Sequence, residues 1–324
     1  MLAEKVFHSL EDSGFKALVA GYKNLYDLGA VIPDTPFYHF LGRRRRDFLS
    51  AGWRLHGQDG EDTFAFLPVV SRFFDLKSND SVWAFLLGAL THLVADSAFH
   101  PLVYYFSGNP LHPDPEISRG AACRHRLIET FLDLHYMQRV SFDHKGKLAV
   151  VLENDDIDQI QFTALLSCLF FASYDYSPRE IHKTLRLHKS VQSSFYKRSY
   201  AGVLKAVNLI SLHSLDDITA LFYPRKRDLP VPFFQDPIPY LHPVTGEECL
   251  ESLYEIENRV IHRCQGIFSK LESNRGEGLQ DFLKTELRGP SAYTDLYDSR
   301  SVDMIHFQIR NVTDLLQRGL RKRA

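Results

Sequence analysis

The sequence predicts an all-α protein, and three observations predict it. Apolar residues recur at helical spacing through most of the 324 residues. No run of strands alternating with helices is visible, so a parallel sheet is not expected. No fixed-period repeat or low-complexity tract interrupts the pattern.

The elements follow in order. Residues 2–12 predict a first helix, ended or bent by Ser13-Gly14, and 15–28 a second, closed by Gly29. In Val31-Ile32-Pro33-Asp34-Thr35-Pro36 two prolines disfavour continuous helix, so a turn is expected. Helices are expected over 45–56 and 61–74. Asn79-Asp80-Ser81 can cap a helix that runs to about His100 and stops at Pro101. Gly108-Asn109-Pro110 and His112-Pro113-Asp114-Pro115 mark a loop, and a long helix follows over 118–138. Residues 139–153 read as a small hairpin or a loop, and 155–174, 178–190 and 192–212 as helices. The proline-rich stretch 224–246 carries no helical period and reads as an irregular crossing segment. Thr245-Gly246-Glu247 marks a turn and a helix start, with helices expected over 247–274, 276–287 and 299–322. The expected division is a helical metal-binding domain over 1–215 and a helical extension over 216–324.

Composition narrows the function. A net charge of −2 gives no global field for nucleic acid, so polyanion binding would need a local patch. The four cysteines, Cys123, Cys168, Cys249 and Cys264, lack paired or motif-like spacing and read as reduced thiols. The N-terminal residues carry no apolar signal core. The longest apolar run, Trp83 to Leu90, is too short to span a bilayer. A cytoplasmic setting is expected.

Chemistry concentrates in two stretches. In GALTHLVADSAFHP, His92, Asp96 and His100 are spaced i, i+4, i+8, one stripe of a helix. The flanking Phe85, Leu86, Leu87, Leu90, Leu93 and Val94 bury that helix, so the polar stripe faces inward. Buried imidazoles and carboxylates are costly unless paired or coordinated. In RHRLIETFLDLHY, His125, Glu129 and Asp133 repeat the spacing. Imidazole nitrogen and carboxylate oxygen are natural zinc ligands, and inward His and Glu on neighbouring helices are how helical cores build metal sites. One such stripe alone is more often a hydrogen-bonded core feature. Asp34 in its proline-flanked turn and His56 near a helix end each read, taken alone, as a turn or capping residue.

Together these residues resemble the zinc-dependent phospholipase C family, which includes related fungal single-strand nucleases. The resemblance rests on Leu28-Gly29-Ala30 with Pro33-Asp34, then His56, then the His92/Asp96/His100 helix, then His125/Glu129, over roughly residues 2–135. His100-Pro101 is most similar to bacterial relatives. The resemblance implies a multi-helix phospholipase C-like bundle in which Asp34, His56, His92 and Asp96 hold one zinc, and His100, His125 and Glu129 a second. The family places a third zinc on the N-terminal amine and an early histidine, with the Asp96 equivalent bridging. Leu2 to Phe7 resembles the helix after that histidine, which has no counterpart here beyond His8, so two zincs are expected rather than three.

The implied chemistry is metal-assisted hydrolysis of a phosphoester or phospholipid-like substrate, with Asp34 orienting or deprotonating the attacking water, Asp133 supporting His125, and peripheral membrane contact a corollary. No specific nucleic acid is expected. The alternative is a metal-binding or structural protein of the same fold without turnover. An adjacent His-Asp dipeptide is absent, which disfavours another class of metal phosphohydrolase, and no Gly-x-Ser-x-Gly elbow is present. Arg43-Arg44-Arg45-Arg46 could meet phosphate, though a charge run is usually a solvated face. Arg225-Lys226-Arg227 and Arg321-Lys322-Arg323 read as solvated surface. Tyr104, Tyr105 and Phe106 could line a cleft, though core packing is the commoner role. His39, His112 and His135 belong to no motif.

Overall fold

A computed structural model describes residues 2–10, 13–39, 43–139, 148–152, 159–171, 176–195, 198–210, 219–222 and 232–308. Within them the protein is all-α apart from one two-stranded sheet. The helices are α1 (Leu2–Ser9), α2 (Gly14–Gly21), α3 (Lys23–Gly29), α4 (Arg45–Leu55), α5 (Phe66–Phe73), α6 (Asp80–Ser107), α7 (Pro115–Arg139), α8 (Leu148–Val151), α9 (Gln159–Phe171), α10 (Pro178–Ser194), α11 (Arg198–Ile210), α12 (Leu253–Ser273) and α13 (Leu279–Thr285). The hairpin or loop expected over 139–153 instead contains a short helix, α8, and its residues 140–147 and 153, with the basic tripeptides at 225–227 and 321–323, lie outside the described residues.

Two compact units interleave along the chain. One comprises Met1–Ala98, Asp143–Gln192 and Glu257–Ser299; the other comprises Phe99–Phe142, Ser193–Ile256 and Arg300–Ala324. In the first, α9 packs on α4 and α5, and α8 on α3. Its core centres on α6, where Trp83, Phe85, Leu86, Leu87 and Leu90 are fully buried. Burying each such side chain contributes about 1.5–3 kcal/mol.

Gly29 of α3 and Gly88 of α6 meet backbone to backbone. A Cβ on Gly88 would sit 2.0 Å from the Tyr26 carbonyl oxygen, and one on Gly29 2.0 Å from that of Phe85. Only glycine permits that approach. The approach brings the end of α3 beside the turn of α6 that carries His92.

Several expected boundaries are corrected. The second predicted helix breaks at Tyr22 into α2 and α3. The double-proline turn winds into a 3₁₀ helix, Ile32–Tyr38, with Pro33 at its start, where no N–H is needed. The helix expected from 61 starts at Phe66, because the Asp62 carboxylate accepts from Phe64 N–H and fixes a turn.

Asn79 caps α6 as expected, its Oδ1 accepting from Val82 N–H at 3.1 Å, but Pro101 does not end the helix, which runs on to Ser107. An internal proline costs about 3 kcal/mol; burial of Leu102, Val103, Tyr104 and Phe106 beyond it offsets that. At 28 residues α6 is long and apolar enough to cross a membrane by length and composition, and most of its apolar stretch is buried within the protein.

The crossing segment and the helix expected from 247 contain a hairpin instead. Strand β1 (Ile238–Leu241) pairs antiparallel with β2 (Glu248–Glu251), in the register Ile238 to Glu251 and Leu241 to Glu248. The turn between them closes through Gly246 at φ 73, and α12 starts only after Ser252, whose hydroxyl accepts from Glu255 N–H. The helix expected over 299–322 is replaced, as far as 308, by a 3₁₀ turn at Ser301–Asp303 and extended chain. There Ile305 N–H donates to Pro243 O at 2.8 Å and Gln308 N–H to Tyr105 O at 2.7 Å. Those long-range acceptors replace intrahelical ones.

Candidate metal centre

The seven residues singled out by the sequence gather into two sets. Asp34, His56, His92 and Asp96 offer donor atoms within 4.8 Å of one another, and so do His100, His125 and Glu129.

The first set draws on three elements of one unit. The 3₁₀ turn carries Asp34, His56 follows the end of α4, and α6 presents His92 and Asp96. Both imidazoles are fixed from behind. His56 Nδ1 lies 2.7 Å from the Gly52 carbonyl oxygen and His92 Nδ1 lies 3.1 Å from that of Ala30. Each Nδ1 therefore carries the proton as donor, and each Nε2 presents its lone pair. The Ala30 carbonyl is available because the Gly29–Gly88 crossing brings α3 onto α6.

Those two Nε2 atoms face each other at 3.3 Å. Two lone pairs so close repel unless a proton or cation lies between them. Asp34 Oδ1 is 3.5 Å from His56 Nε2 and 3.6 Å from His92 Nε2, and Asp96 Oδ2 is 3.5 and 3.2 Å from the same atoms. The corners of a tetrahedron with zinc-ligand arms of about 2.0–2.1 Å lie about 3.3–3.4 Å apart. The donor set fits a tetrahedral ion in both chemistry and spacing.

The electrostatics agree. Burial pushes the Asp34 carboxyl up, but the His92 charge and hydrogen bonds with His56 and His92 outweigh it and hold the group well below the usual carboxylate range. Burial opposes charge on His92, yet the Asp96 and Asp34 carboxylates raise it well above the usual imidazole range.

The turn carrying Asp34 is itself pinned by α10. Thr35 Oγ1 is 3.0 Å from His188 Nδ1 and His39 Nδ1 is 2.8 Å from Thr184 Oγ1. Tyr38 stacks on His188 at 3.9 Å, and His39 on Phe48 at 4.1 Å. Burial depresses the His188 imidazole to about 4, so it serves as a neutral partner.

The second set lies in the other unit, on α6 and α7. Glu129 Oε1 is 3.1 Å from His125 Nε2 and 3.5 Å from His100 Nε2. Burial would raise the Glu129 carboxyl, but His125 and His100 hold it far below its usual value. Tyr104 packs against both rings, 5.2 Å from His100 and 4.8 Å from His125 between centroids. His125 Nδ1 is buried without a hydrogen-bond partner among the described residues, so the expected support from Asp133 is absent, and Asp133 is exposed.

Other expectations resolve locally. Exposed His8 pairs with Glu4 at 3.0 Å on α1. Arg44 pairs with Asp47 and Glu180 and lies over the Tyr176 ring at 4.5 Å. His112 Nδ1 accepts from Asp114 N–H at 3.0 Å. Buried His135 packs against Tyr136 and Phe234.

Sequence reasoning missed the carbonyls of Gly52 and Ala30 and the His188 and Thr184 supports, while Tyr104, expected to line a cleft or pack in the core, packs against His100 and His125. The i, i+4 spacing of Thr184 and His188 was the one visible signal among them.

No curated protein matches the chain, and no solved structure does. The family model described as zinc dependent phospholipase C matches residues 2–197, a span that contains all seven residues of the two sets. The chain belongs to the zinc-dependent phospholipase C family.

Proposed function

We propose that the protein is a zinc-dependent phosphoester hydrolase acting on phospholipid-like substrates, with one zinc held by Asp34, His56, His92 and Asp96 and another by His100, His125 and Glu129. The observation that carries the reading is the first set: four nitrogen and oxygen donors, with every separation that involves an imidazole between 3.2 and 3.6 Å and both imidazole tautomers fixed by backbone. Zinc held there would supply a Lewis acid that lowers the pKa of water from about 15.7 to about 7 and neutralises charge on phosphoryl oxygens.

The chain's own residues divide the remaining work. The Gly52 and Ala30 carbonyls orient the His56 and His92 rings, the kind of support that sets ligand basicity. The Asp34 side chain keeps 45% of its surface exposed, against 3% for His56. Asp34 is thus the most exposed member of the set, ionised and placed to orient an attacking water. The Glu129 side chain is likewise 43% exposed, and a three-donor set matches the ligand count of catalytic rather than structural zinc.

The test is metal analysis of purified protein with a substrate screen. The expected result is two equivalents of zinc, with hydrolysis of phosphatidylcholine vesicles and a chromogenic phosphodiester, lost in His92→Ala. Protein that contains and acquires no transition metal overturns the reading. Bound zinc without turnover on those substrates or on single-stranded DNA removes the hydrolase and leaves a metal-binding protein.

A further inference from the structure

Residues 289–299 lie beyond the family-matched stretch, yet they are joined to the turn that carries His56. Ala292 N–H donates to the carbonyl of His56 itself at 2.9 Å. Ser291 Oγ donates to the neighbouring Gly57 carbonyl at 2.8 Å and accepts from Tyr293 N–H at 3.2 Å. Thr63 Oγ1, on the far side of the turn, donates to Pro290 O at 2.8 Å. Asp62 Oδ1 accepts from Gly289 N–H at 2.7 Å. His56, Thr63, Ser291, Ala292 and Thr294 are each at most 3% exposed. Hydrogen bonds in such dry surroundings are costly to leave half-made.

The backbones have room only because of two glycines. Gly57 sits at φ 73, and a Cβ there would lie 3.1 Å from Ser291 Cα; one on Gly289 would lie 2.2 Å from Thr63 Oγ1. The segment also holds Asp295 and Asp298 in the left-handed region, at φ 59 and 54. Residues persist there when their surroundings over-determine them. Here Arg263 grips Asp295 with both terminal nitrogens and Arg288 grips Asp298. The segment is therefore anchored at its far end and pressed onto the His56 turn at its near end.

We propose that residues 289–299 act as a positioning strap for His56, setting where its Nε2 points and thereby the metal affinity of the first ligand set. The proposal rests on the metal reading of that set for its consequence, but the strap itself is testable without metal.

The experiment uses the full chain with Thr63→Val, which removes the hydroxyl and keeps the shape, and Thr63→Ser, which keeps the hydroxyl. In metal-free protein, amide exchange at Ala292 and the His56 ring resonances are followed by NMR. Thr63→Val should speed Ala292 exchange about 10-fold, the effect of one net hydrogen bond, and shift the His56 ring signals. Thr63→Ser should return both toward wild type. In zinc titrations, Thr63→Val should weaken by about 10-fold the class of site that His92→Ala removes, and leave the class that Glu129→Gln removes unchanged.

Ala292 exchange and His56 signals unchanged in Thr63→Val overturn the strap, as does equal weakening of both zinc classes. If Thr63→Val does not fold, Ser291→Ala makes the same comparison. Wild-type protein that binds no zinc overturns the metal reading alone, because the metal-free measurements still decide the strap.

Discussion

The two candidate metal-binding sets both combine imidazoles with carboxylates but are held in different ways. In the first, both histidines donate Nδ1–H to backbone carbonyls, and a neutral histidine on α10 pins the turn beneath Asp34. In the second, His125 Nδ1 has no hydrogen-bond partner among the described residues, and Tyr104 braces the His100 and His125 rings by packing. Hydrogen bonds from rigid backbone fix a tautomer and a direction, whereas ring packing fixes a position and leaves the tautomer open. The difference teaches that backbone hydrogen bonds orient both imidazoles of the first set, whereas in the second the His125 ring is held by Glu129 and by packing.

The sharpest way to break that comparison is to remove one ligand from each set. His92→Ala should lower zinc affinity at the first set by more than about 100-fold, since losing even an outer supporting partner costs about 10–100-fold. Glu129→Gln should do the same at the second alone. Zinc titrations of both variants check this, and a loss of both classes in either variant would show that the sets are one thermodynamic unit.

Next in size is the glycine crossing behind His92. Gly88→Ala drives a methyl to 2.0 Å from a backbone oxygen of α3. It should cost about 3 kcal/mol in denaturant unfolding, and in protein that still folds it should weaken the first set more than the second. Unfolding within 1 kcal/mol of wild type (about the smallest expected overpacking cost) would contradict the crossing.

Acid stability sharpens the contrast further, because His188 supports only the first set. Its folded value, about 4, lies below the ordinary imidazole value of 6.5. The unfolded chain therefore binds the extra proton first. Stability is fully present above about 6.5 and falls as pH drops from there to about 4, by up to about 3 kcal/mol. Metal-free His188→Gln should lose that part of the acid limb. An unchanged pH profile between those values would show that His188 is not the group responsible.

The smallest expected effect is on the Asp34 turn. Thr35→Val removes the partner of His188 and should weaken zinc at the first set by about 10-fold, with Thr35→Ser close to wild type. Equal affinities in the two variants would show that α10 does not position Asp34.

Much of the candidate site was legible from spacing alone. Residues four apart on a helix share a face, so His92, Asp96, His100, His125 and Glu129 could be grouped without any knowledge of the fold. Their apolar neighbours already implied burial. Asp34 and His56 were not legible in that way: each reads alone as a turn or cap, and only the order of motifs drew them in. Thr35 and His39, held by α10 from about 150 residues away, left no local trace, whereas Tyr104, four residues after His100 on α6, lay within reach of the same spacing argument.

The sequence by itself determined that the chain is helical, which faces are apolar, and which polar residues ride on them, because periodicity and side-chain chemistry are local. Tertiary structure decided the rest. It carried α6 through Pro101, because burial beyond the proline offsets the lost hydrogen bond. It turned the segment around Gly246 into a hairpin and drew Ile305, His306 and Gln308 onto long-range carbonyl acceptors. It aimed His92 by bringing Gly29 onto Gly88, and it strapped His56 with residues more than two hundred positions further along. A backbone acceptor or a close glycine contact has no signature until the partner element arrives, so the donors could be read in the sequence and their orientation could not.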